Sequence, residues 1–245
     1  MKSTERHKLK QNDFATTVAR MRASLEARQA TIVRVLVVLV VLVGIAAAVA
    51  WWRSTQEARA NELLADALAT YEMPVVPPQP PAPGSPPPLP QPGTFQSEQE
   101  RLDAALPKFL EAAEANPGSQ AAVTARYHAA SILASLGRHA EAEEHYRQVS
   151  ERAGDGIYGR TARLGMAESQ LAQGKHDSAI EIYTAFSRDT GSPIPLDGIL
   201  MQLGRAYARA GRTEEAVRSF TRIVDEFPQS PYAAEARRHM AEVKS

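Results

Sequence analysis

The fold is decided by the stretch LGRAYARAGRTEEAVRSFTRIVDEFP, from Leu203 to Pro228. When the chain is shifted by 37 residues, the pattern of this stretch recurs upstream. The recurring positions hold glycine (Gly137, Gly174, Gly211), alanine (Ala105, Ala142, Ala179, Ala216), an aromatic residue (Phe109, Tyr146, Tyr183, Phe220) and a small residue (Ala130, Ala167, Gly204). Such a period indicates repeated units that bury their apolar faces only when neighbouring units are stacked.

Each recurring residue has a physical role in a unit made of two helices and a turn. The glycine follows the first helix and can adopt the left-handed conformation that ends it. Asp177 and Thr213 are predicted to cap the second helix. The small residues let the two helices approach closely, and the aromatic residue covers the joint between them. Pro228 ends the second helix because proline cannot continue it.

The same stretch resembles the tetratricopeptide repeat. The residues at its signature positions are Leu203, Gly204, Tyr207, Gly211, Ala216, Phe220 and Pro228. The upstream copies depart from the motif, because Gln170 replaces the tyrosine and Arg126 and Arg163 stand where tryptophan is usual. The period of 37 residues also exceeds the usual length of about 34. We therefore expect longer loops between the repeats.

The resemblance implies an all-α fold, an α-solenoid of helical hairpins that covers residues 97–245. Its expected parts are the second helix of a first hairpin at 97–116, repeats at 119–152, 157–190 and 195–228, and a capping helix at 231–244. Ser230 and Pro231 are predicted to begin the capping helix as N-cap and first helical residue.

A proline-rich segment at 74–96 stands where the partner of helix 97–116 would be. Prolines occupy 11 of the 20 positions from 74 to 93. Because proline lacks an N–H and has a fixed φ, this segment is predicted to be an extended spacer or an insertion loop between two packed helices. Residues 53–73 are predicted to form a helix that packs on the first repeat. Its apolar face consists of Ala58, Leu63, Leu64, Ala67 and Leu68.

Residues 31–52 are predicted to form a single transmembrane helix. No charge occurs in the 18 residues from Val35 to Trp52, and a bilayer core requires about 20 helical residues. Arg34 can extend to the headgroups on one side, while Trp51 and Trp52 suit the opposite interface. A cleaved signal peptide is the alternative, since Ala48-Val49-Ala50 resembles a cleavage site.

The charges that flank the span predict its orientation. Residues 1–34 contain eight Lys or Arg and three Asp or Glu, so residues 1–30 are expected to be a basic cytoplasmic tail. This tail could form an amphipathic helix through Phe14, Val18, Met21 and Leu25. The predicted location is the bacterial inner membrane, with the repeat domain in the periplasm.

The resemblance also predicts a partner-binding surface, because the first helices of tetratricopeptide repeats line a concave groove that binds proteins or peptides. By register, the residues expected to face this groove are Tyr127, Ser131, Leu164, Glu168, Met201 and Arg205. The alternative is that they are ordinary surface residues of the first helices.

The sequence gives little support for catalysis, cofactors or metals. The absence of cysteine excludes disulfides and thiolate sites. Residues 154–159 match GxGxxG but lack the strand that a dinucleotide site requires. His139 and His145 are six residues apart, which misses the spacing of a helical metal pair. With 28 basic and 28 acidic residues, the composition also gives no argument for nucleic acid.

A basic tail, one span and an exported repeat domain resemble the ancillary subunit of the bacterial Sec translocon, a family thought to link the translocon to periplasmic chaperones. The phrase FPQSPYAAEARRHM, residues 227–240, resembles repeat proteins of outer-membrane assembly and of the Tol-Pal system. A membrane-anchored scaffold is the favoured interpretation. A self-associating structural component of the envelope is the alternative, and an enzyme with an unrecognised site ranks third. The sequence leaves the partner and the oligomeric state open.

Overall fold

The computed structural model describes residues 4–78, 91–189, 191 and 193–244. The chain divides into two compact units, Met1–Thr55 and Gln56–Ser245. The first helix, α1 (Thr4–Tyr71), contributes residues to both units. The remaining helices of the described residues are α2 (Glu98–Ala115), α3 (Gln120–Ser135), α4 (His139–Ala153), α5 (Ile157–Ala172), α6 (His176–Arg188), α7 (Leu196–Arg209), α8 (Thr213–Glu226) and α9 (Ala233–Lys244). The all-α repeat array predicted from the sequence is therefore confirmed.

The turn inside each hairpin depends on a left-handed glycine. Gly137, Gly174 and Gly211 have φ values of 75°, 76° and 73°, a region that side chains with a Cβ rarely adopt. In the last hairpin, the backbone N–H of Arg212 donates to the Tyr207 carbonyl at 2.9 Å, and this bond closes the first helix. The predicted role of the three glycines is confirmed.

The predicted caps of the second helices are wrong. The N-cap residues of α6 and α8 are Lys175 and Arg212, neither of which makes a side-chain cap bond. Asp177 lies in the first turn of α6, and Thr213 is the first residue of α8. The reason is that the residue after each glycine serves both helices. Its N–H closes the first helix, and its carbonyl accepts the first bond of the second.

The joint between paired helices is an aromatic ring packed on a small residue. The four recurring aromatic side chains are at most 5% exposed: Phe109, Tyr146, Tyr183 and Phe220. At Gly204, an added Cβ would lie 2.4 Å from Cε1 of Phe220, so only glycine leaves room for the ring. Ala130 and Ala167, at the equivalent positions, are fully buried. The close approach predicted at these positions is confirmed.

The C-terminal part of α1 occupies the place of the missing partner of α2. The Tyr71 ring meets the Phe109 ring edge-on, with 6.0 Å between the centroids. Lys108 donates to an Asp66 carboxylate oxygen at 2.7 Å, and Ala67 is buried in the same cluster as Leu102. Within the second unit, these contacts complete a first hairpin whose two helices are separated by the proline-rich segment.

The ends of the proline-rich segment lie side by side. Val76 donates a backbone hydrogen bond to the Phe95 carbonyl at 2.8 Å, and Phe95 donates to Pro74 at 3.0 Å. The segment therefore leaves the helical array and returns to it at one place, as an insertion loop would. Residues 79–90, for which the sequence predicts an extended conformation, lie outside the described residues.

The extra residues of the 37-residue period are distributed unevenly. The connection between α6 and α7 covers 189–195, but α4 and α5 are separated only by 154–156. The expected longer loop is absent there because α4 and α5 are themselves 15 and 16 residues long. The capping helix begins at Ala233 rather than at 231. A turn precedes it, in which Ala233 donates to the Ser230 carbonyl at 3.0 Å.

Replacing Gly204 with alanine should destabilise the repeat array. The new methyl group would overlap the buried Phe220 ring, and overpacking of this kind costs about 1–3 kcal/mol. This exceeds the helix propensity that alanine gains over glycine, about 1 kcal/mol. Thermal unfolding of the full chain, followed by near-ultraviolet circular dichroism, measures the change.

The matched control is Gly118→Ala, because the nearest atom to its Cβ would be Asn116 Oδ1 at 4.0 Å. We expect this control to change stability by less than about 0.5 kcal/mol. Equal stability of the two variants would contradict the packing argument for Gly204.

Candidate protein-binding site

A pocket of 530 Å³ opens between α5, α7 and the segment that leads into α9, and we refer to it as the α5–α7 pocket. Its lining residues are Leu164, Glu168, Tyr183, Ile194, Pro195, Asp197, Gly198, Ile199, Gln202, Pro231 and Tyr232. Most of these side chains are apolar, and none is basic. The polar groups are two carboxylates, an amide and two phenol hydroxyls.

Asp197 fixes the rim of the pocket. Its Oδ1 accepts from the Gly198 N–H at 2.9 Å, and its Oδ2 accepts from the Ser230 hydroxyl at 2.6 Å. The Ser230 hydroxyl oxygen in turn accepts from the Tyr232 N–H at 3.1 Å. These bonds attach the segment before α9 to the first turn of α7. A preformed pocket of this kind loses little conformational freedom when a ligand enters.

Glu168 supplies the second carboxylate of the pocket. Solvent reaches this side chain, but the surrounding walls displace much of its hydration. This desolvation raises the pKa of Glu168 above its ordinary value of 4.5. Among the described residues, no Lys, Arg or His lies within ion-pair distance of the carboxylate.

Tyr183 contributes an unpaired hydroxyl to the wall of the α5–α7 pocket. The side chain is fully buried, and its Oη has no hydrogen-bond partner in the part of the chain that the structure describes. Burial raises the pKa of Tyr183, the Glu168 charge raises it further, and Arg209 acts in the opposite direction. A buried hydroxyl without a partner costs about 1–3 kcal/mol in lost hydration, so a bound donor or acceptor would recover free energy here.

The structure separates the six residues for which the sequence predicts a shared groove. Leu164 and Glu168 line the α5–α7 pocket. The predicted groove position of Met201 is wrong. Its side chain is 1% exposed and packs beside Phe220 in the core. Gln202, one residue along α7, lines the pocket instead. The repeat period assigns Met201 to the wrong face of α7, because α7 turns its Leu200–Met201 face toward α8 and α9.

The other predicted residues lie outside this pocket. Arg205 forms an ion pair with Glu235 of α9, so its charge is already matched within the chain. Tyr127 is half-buried among aromatic rings, with centroid distances of 5.8 Å to Tyr146 and 5.5 Å to Tyr158. Ser131, one turn further along α3, is also half-buried.

Sequence reasoning missed several residues of the pocket. The repeat position of Tyr183 predicts a core ring, and only its hydroxyl distinguishes it from the phenylalanines at that position in other repeats. Asp197 and Tyr232 carry no repeat signal at all. The available signal was the segment 189–195, the longest connection between hairpins, because it contributes Ile194 and Pro195 to the wall.

In two other pockets, an arginine of the lining is already paired with a carboxylate. The first, of 430 Å³, is lined by Arg126, whose guanidinium lies 2.6 Å from Glu114. The second, of 380 Å³, is lined by Arg163, which lies 2.9 Å from Asp155 and stacks over the Phe186 ring. These two paired arginines therefore have less to gain from a ligand than Glu168 does.

The glycine-rich segment before α5 has a packing role. Gly156 is the N-cap residue of α5, and a Cβ on Gly159 would lie 2.0 Å from the Gly154 carbonyl oxygen. These glycines permit the three-residue connection between α4 and α5. Within the described residues, no group of three His, Asp or Glu is arranged to hold a metal ion.

Comparison with known families identifies the repeat. Two models described as tetratricopeptide repeat match the chain, over residues 120–185 and 164–231. The chain carries tetratricopeptide repeats. Proteins built from this repeat are typically non-catalytic scaffolds that bind proteins and peptides, and no enzyme family matches.

Solved structures with tetratricopeptide or related repeats are also similar. The nearly identical TPR-like repeats of a kinesin light chain from Podosopora anserina share 16% identity, covering 78% of this chain and 84% of that chain, with a TM-score of 0.49. A tetratricopeptide repeat protein from Parabacteroides merdae shares 15% identity, covering 59% and 54% respectively, with a TM-score of 0.49. A search of curated protein sequences gives no match to this chain.

Replacing Glu168 with glutamine should raise the Tm at neutral pH. A carboxyl whose pKa is raised on folding binds its proton more tightly in the folded state, so stability falls as pH rises above 4.5 through the folded pKa. The neutral amide removes this loss. We therefore expect the Tm advantage of Glu168→Gln to be present at pH 7 and to disappear below about pH 4.

Thermal unfolding of both proteins across this pH range measures the difference. Glu181→Gln is the matched control, because Glu181 is an exposed carboxylate on neighbouring α6 and does not line the α5–α7 pocket. A lower Tm for Glu168→Gln at pH 7 would contradict the expectation, since it would mean that the carboxylate stabilises the fold.

Proposed function

We propose that this protein is a single-pass scaffold of the bacterial inner membrane, anchored by residues 31–52. Its N-terminus lies in the cytoplasm, and its tetratricopeptide repeats lie on the opposite side of the membrane. There the α5–α7 pocket binds extended segments of partner proteins. In its most specific form, the proposal is an adaptor between the Sec translocon and periplasmic chaperones.

The exposure of the apolar part of α1 supports the anchor. The nine side chains from Val35 to Val43 are each between 53% and 67% exposed within the described structure. By length and composition, this part of α1 can cross a membrane, although a signal sequence near an N-terminus has the same properties. Exposed apolar surface costs about 25 cal/mol per Å² in water, and lipid removes that cost. The excess of basic residues before the span favours a cytoplasmic N-terminus.

The chemistry of the pocket supports the scaffold. Apolar walls with a few polar groups are typical of sites that bind a side chain or a small ligand. The order of basic tail, apolar segment and repeats carries the translocon proposal, because it resembles the ancillary subunit of that complex. A role as a self-associating envelope component remains the alternative, and crosslinking to a second copy of the chain would favour it.

The proposed topology predicts the labelling of single cysteines. The natural chain contains no cysteine, so Ser3→Cys and Ser97→Cys each introduce one thiol. In intact spheroplasts, a membrane-impermeant maleimide should label Ser97→Cys and should label Ser3→Cys only after lysis. Electrophoretic mobility of the labelled chain separates an uncleaved anchor from a cleaved signal sequence. Labelling of Ser3→Cys in intact cells would contradict the orientation, and release of a shortened chain would contradict the anchor.

The proposed binding face predicts where partners crosslink. A photoreactive residue in place of Leu164 or Gln202, both in the α5–α7 pocket, should yield the same discrete partner adduct in living cells. The control is Arg218 of α8, whose side chain is 67% exposed and lies outside the pocket. Mass spectrometry of the adducts identifies the partner. Equal adducts from all three positions, or none from the two pocket positions, would contradict the proposed site.

A further inference from the structure

We propose that the α5–α7 pocket binds the basic side chain of a partner segment, a lysine or an arginine. This inference deepens the proposed scaffold function and rests on it, because it names the chemistry that the same pocket recognises. The occupant is a cationic head on an alkyl stem, presented by an extended chain. Three features of the pocket support this occupant: an unmatched carboxylate, an unpaired hydroxyl, and apolar walls that suit the stem.

The carboxylate of Glu168 lacks the cation that several other carboxylates of the repeat array have. Glu143 lies 2.7 Å from Lys175, and Glu235 and Asp189 are paired with Arg205 and Arg160. Glu168 has no such partner among the described residues, although it lines the α5–α7 pocket together with apolar side chains. An unmatched charge in a partly desolvated site gains more from a cation than an exposed one does.

The hydroxyl of Tyr183 provides a second, independent polar group. Its side chain is fully buried and its oxygen has no partner within the described residues. An ammonium or guanidinium group carries several N–H donors, so it can reach the phenol oxygen and the Glu168 carboxylate together. Tyr183 and Glu168 both line the α5–α7 pocket, so one occupant can meet both groups.

The remaining lining residues suit the stem of such a side chain. Leu164, Ile199 and Pro195 form apolar walls, and the ring of Tyr232 lies beside Gly198, 3.6 Å from the position of an added Cβ. Lysine and arginine commonly bury their methylene groups along apolar surface while the charged head contacts a polar group. A hydrocarbon side chain would instead leave Glu168 and Tyr183 without partners.

The charge of the rim also selects against an acidic occupant. No Lys or Arg lines the pocket, whereas Glu168 and Asp197 both do. The nearest basic residue on the predicted groove face, Arg205, is already paired with Glu235. Arg209 is close enough to lower the pKa of Tyr183, but it is not part of the lining. A carboxylate placed in the pocket would therefore meet like charge without a matching cation.

Fragment binding to the full chain in detergent tests this inference. The probes are n-butylammonium and n-butylguanidinium, which reproduce the two side chains, compared with n-butanol and n-butanoate. Methyl NMR of labelled isoleucine reports binding at Ile199, which lines the pocket, and at the remote Ile132. At least one of the cationic probes should shift the Ile199 signal saturably without shifting that of Ile132, and neither comparison probe should do so.

Two variants separate recognition from stability. Glu168→Gln should weaken binding of the cationic probe by about ten-fold or more, because the charge-assisted bond is lost. Tyr183→Phe should weaken binding by a few-fold without lowering the Tm, because the hydroxyl has no partner in the folded chain. Glu181→Gln, outside the pocket, should leave binding unchanged.

Equal binding of butanol, binding of butanoate, or no saturable shift with either cation would overturn the inference. A drop in Tm for Tyr183→Phe would overturn the argument that its hydroxyl is available. These failures are distinct from failure of the scaffold function. Partner adducts that form from Leu164 and persist in Glu168→Gln would leave the scaffold standing while removing the basic side chain as its ligand.

Discussion

The repeat array depends on one packing constraint, the contact of a buried aromatic ring with a helix that has little or no side chain at that point. Phe220 lies where a Cβ on Gly204 would be, and a Cβ on Gly165 would lie 2.5 Å from the Tyr146 ring. Close-packed interiors tolerate few changes in volume, so these contacts fix the spacing of adjacent helices. The left-handed glycines set the turn, but the rings hold the two helices together.

The same aromatic position connects stability to binding. Phenylalanine occupies it in the first and last hairpins, and tyrosine occupies it at 146 and 183. A tyrosine ring fills the joint as a phenylalanine does, but its hydroxyl extends beyond the joint. At Tyr183 the hydroxyl ends unpaired beside Glu168, in the wall of the α5–α7 pocket.

Many charges of the repeat array form ion pairs, and some of these are short-range pairs on helix surfaces, such as Arg222 with Glu226 and Arg138 with Glu141. Exposed pairs of this kind contribute about 0–1 kcal/mol each, so they add little to stability. In the α5–α7 pocket, Glu168 has no cation partner among the described residues, and together with Asp197 it makes the lining acidic. The apolar segment of α1 differs from the charged surface of the repeat array, because it carries no charge from Val35 to Trp52.

The sequence by itself determined the helical repeat, because the glycine, the small residue and the aromatic residue are local requirements of one hairpin and recur at a fixed period. It also places Leu164 and Glu168 on one face of their helix by register, and their role in partner binding stays a prediction. It could not predict that Met201 is buried, because the rotation of α7 depends on how α8 and α9 pack around it. Nor could it predict the cap residues, because a backbone bond to the preceding helix places them two positions before Asp177 and one position before Thr213.

Only the tertiary structure decided which residues form the pocket. Glu168, Tyr183, Asp197 and Tyr232 come from different helices and from the connections between them, and no spacing in the sequence relates them. The pairing of Val76 with Phe95 likewise decided that the proline-rich segment returns to the array at the place where it leaves. The physical reason is common to both: periodicity describes contacts within a repeat, whereas a binding site and a loop closure depend on contacts between distant parts of the chain.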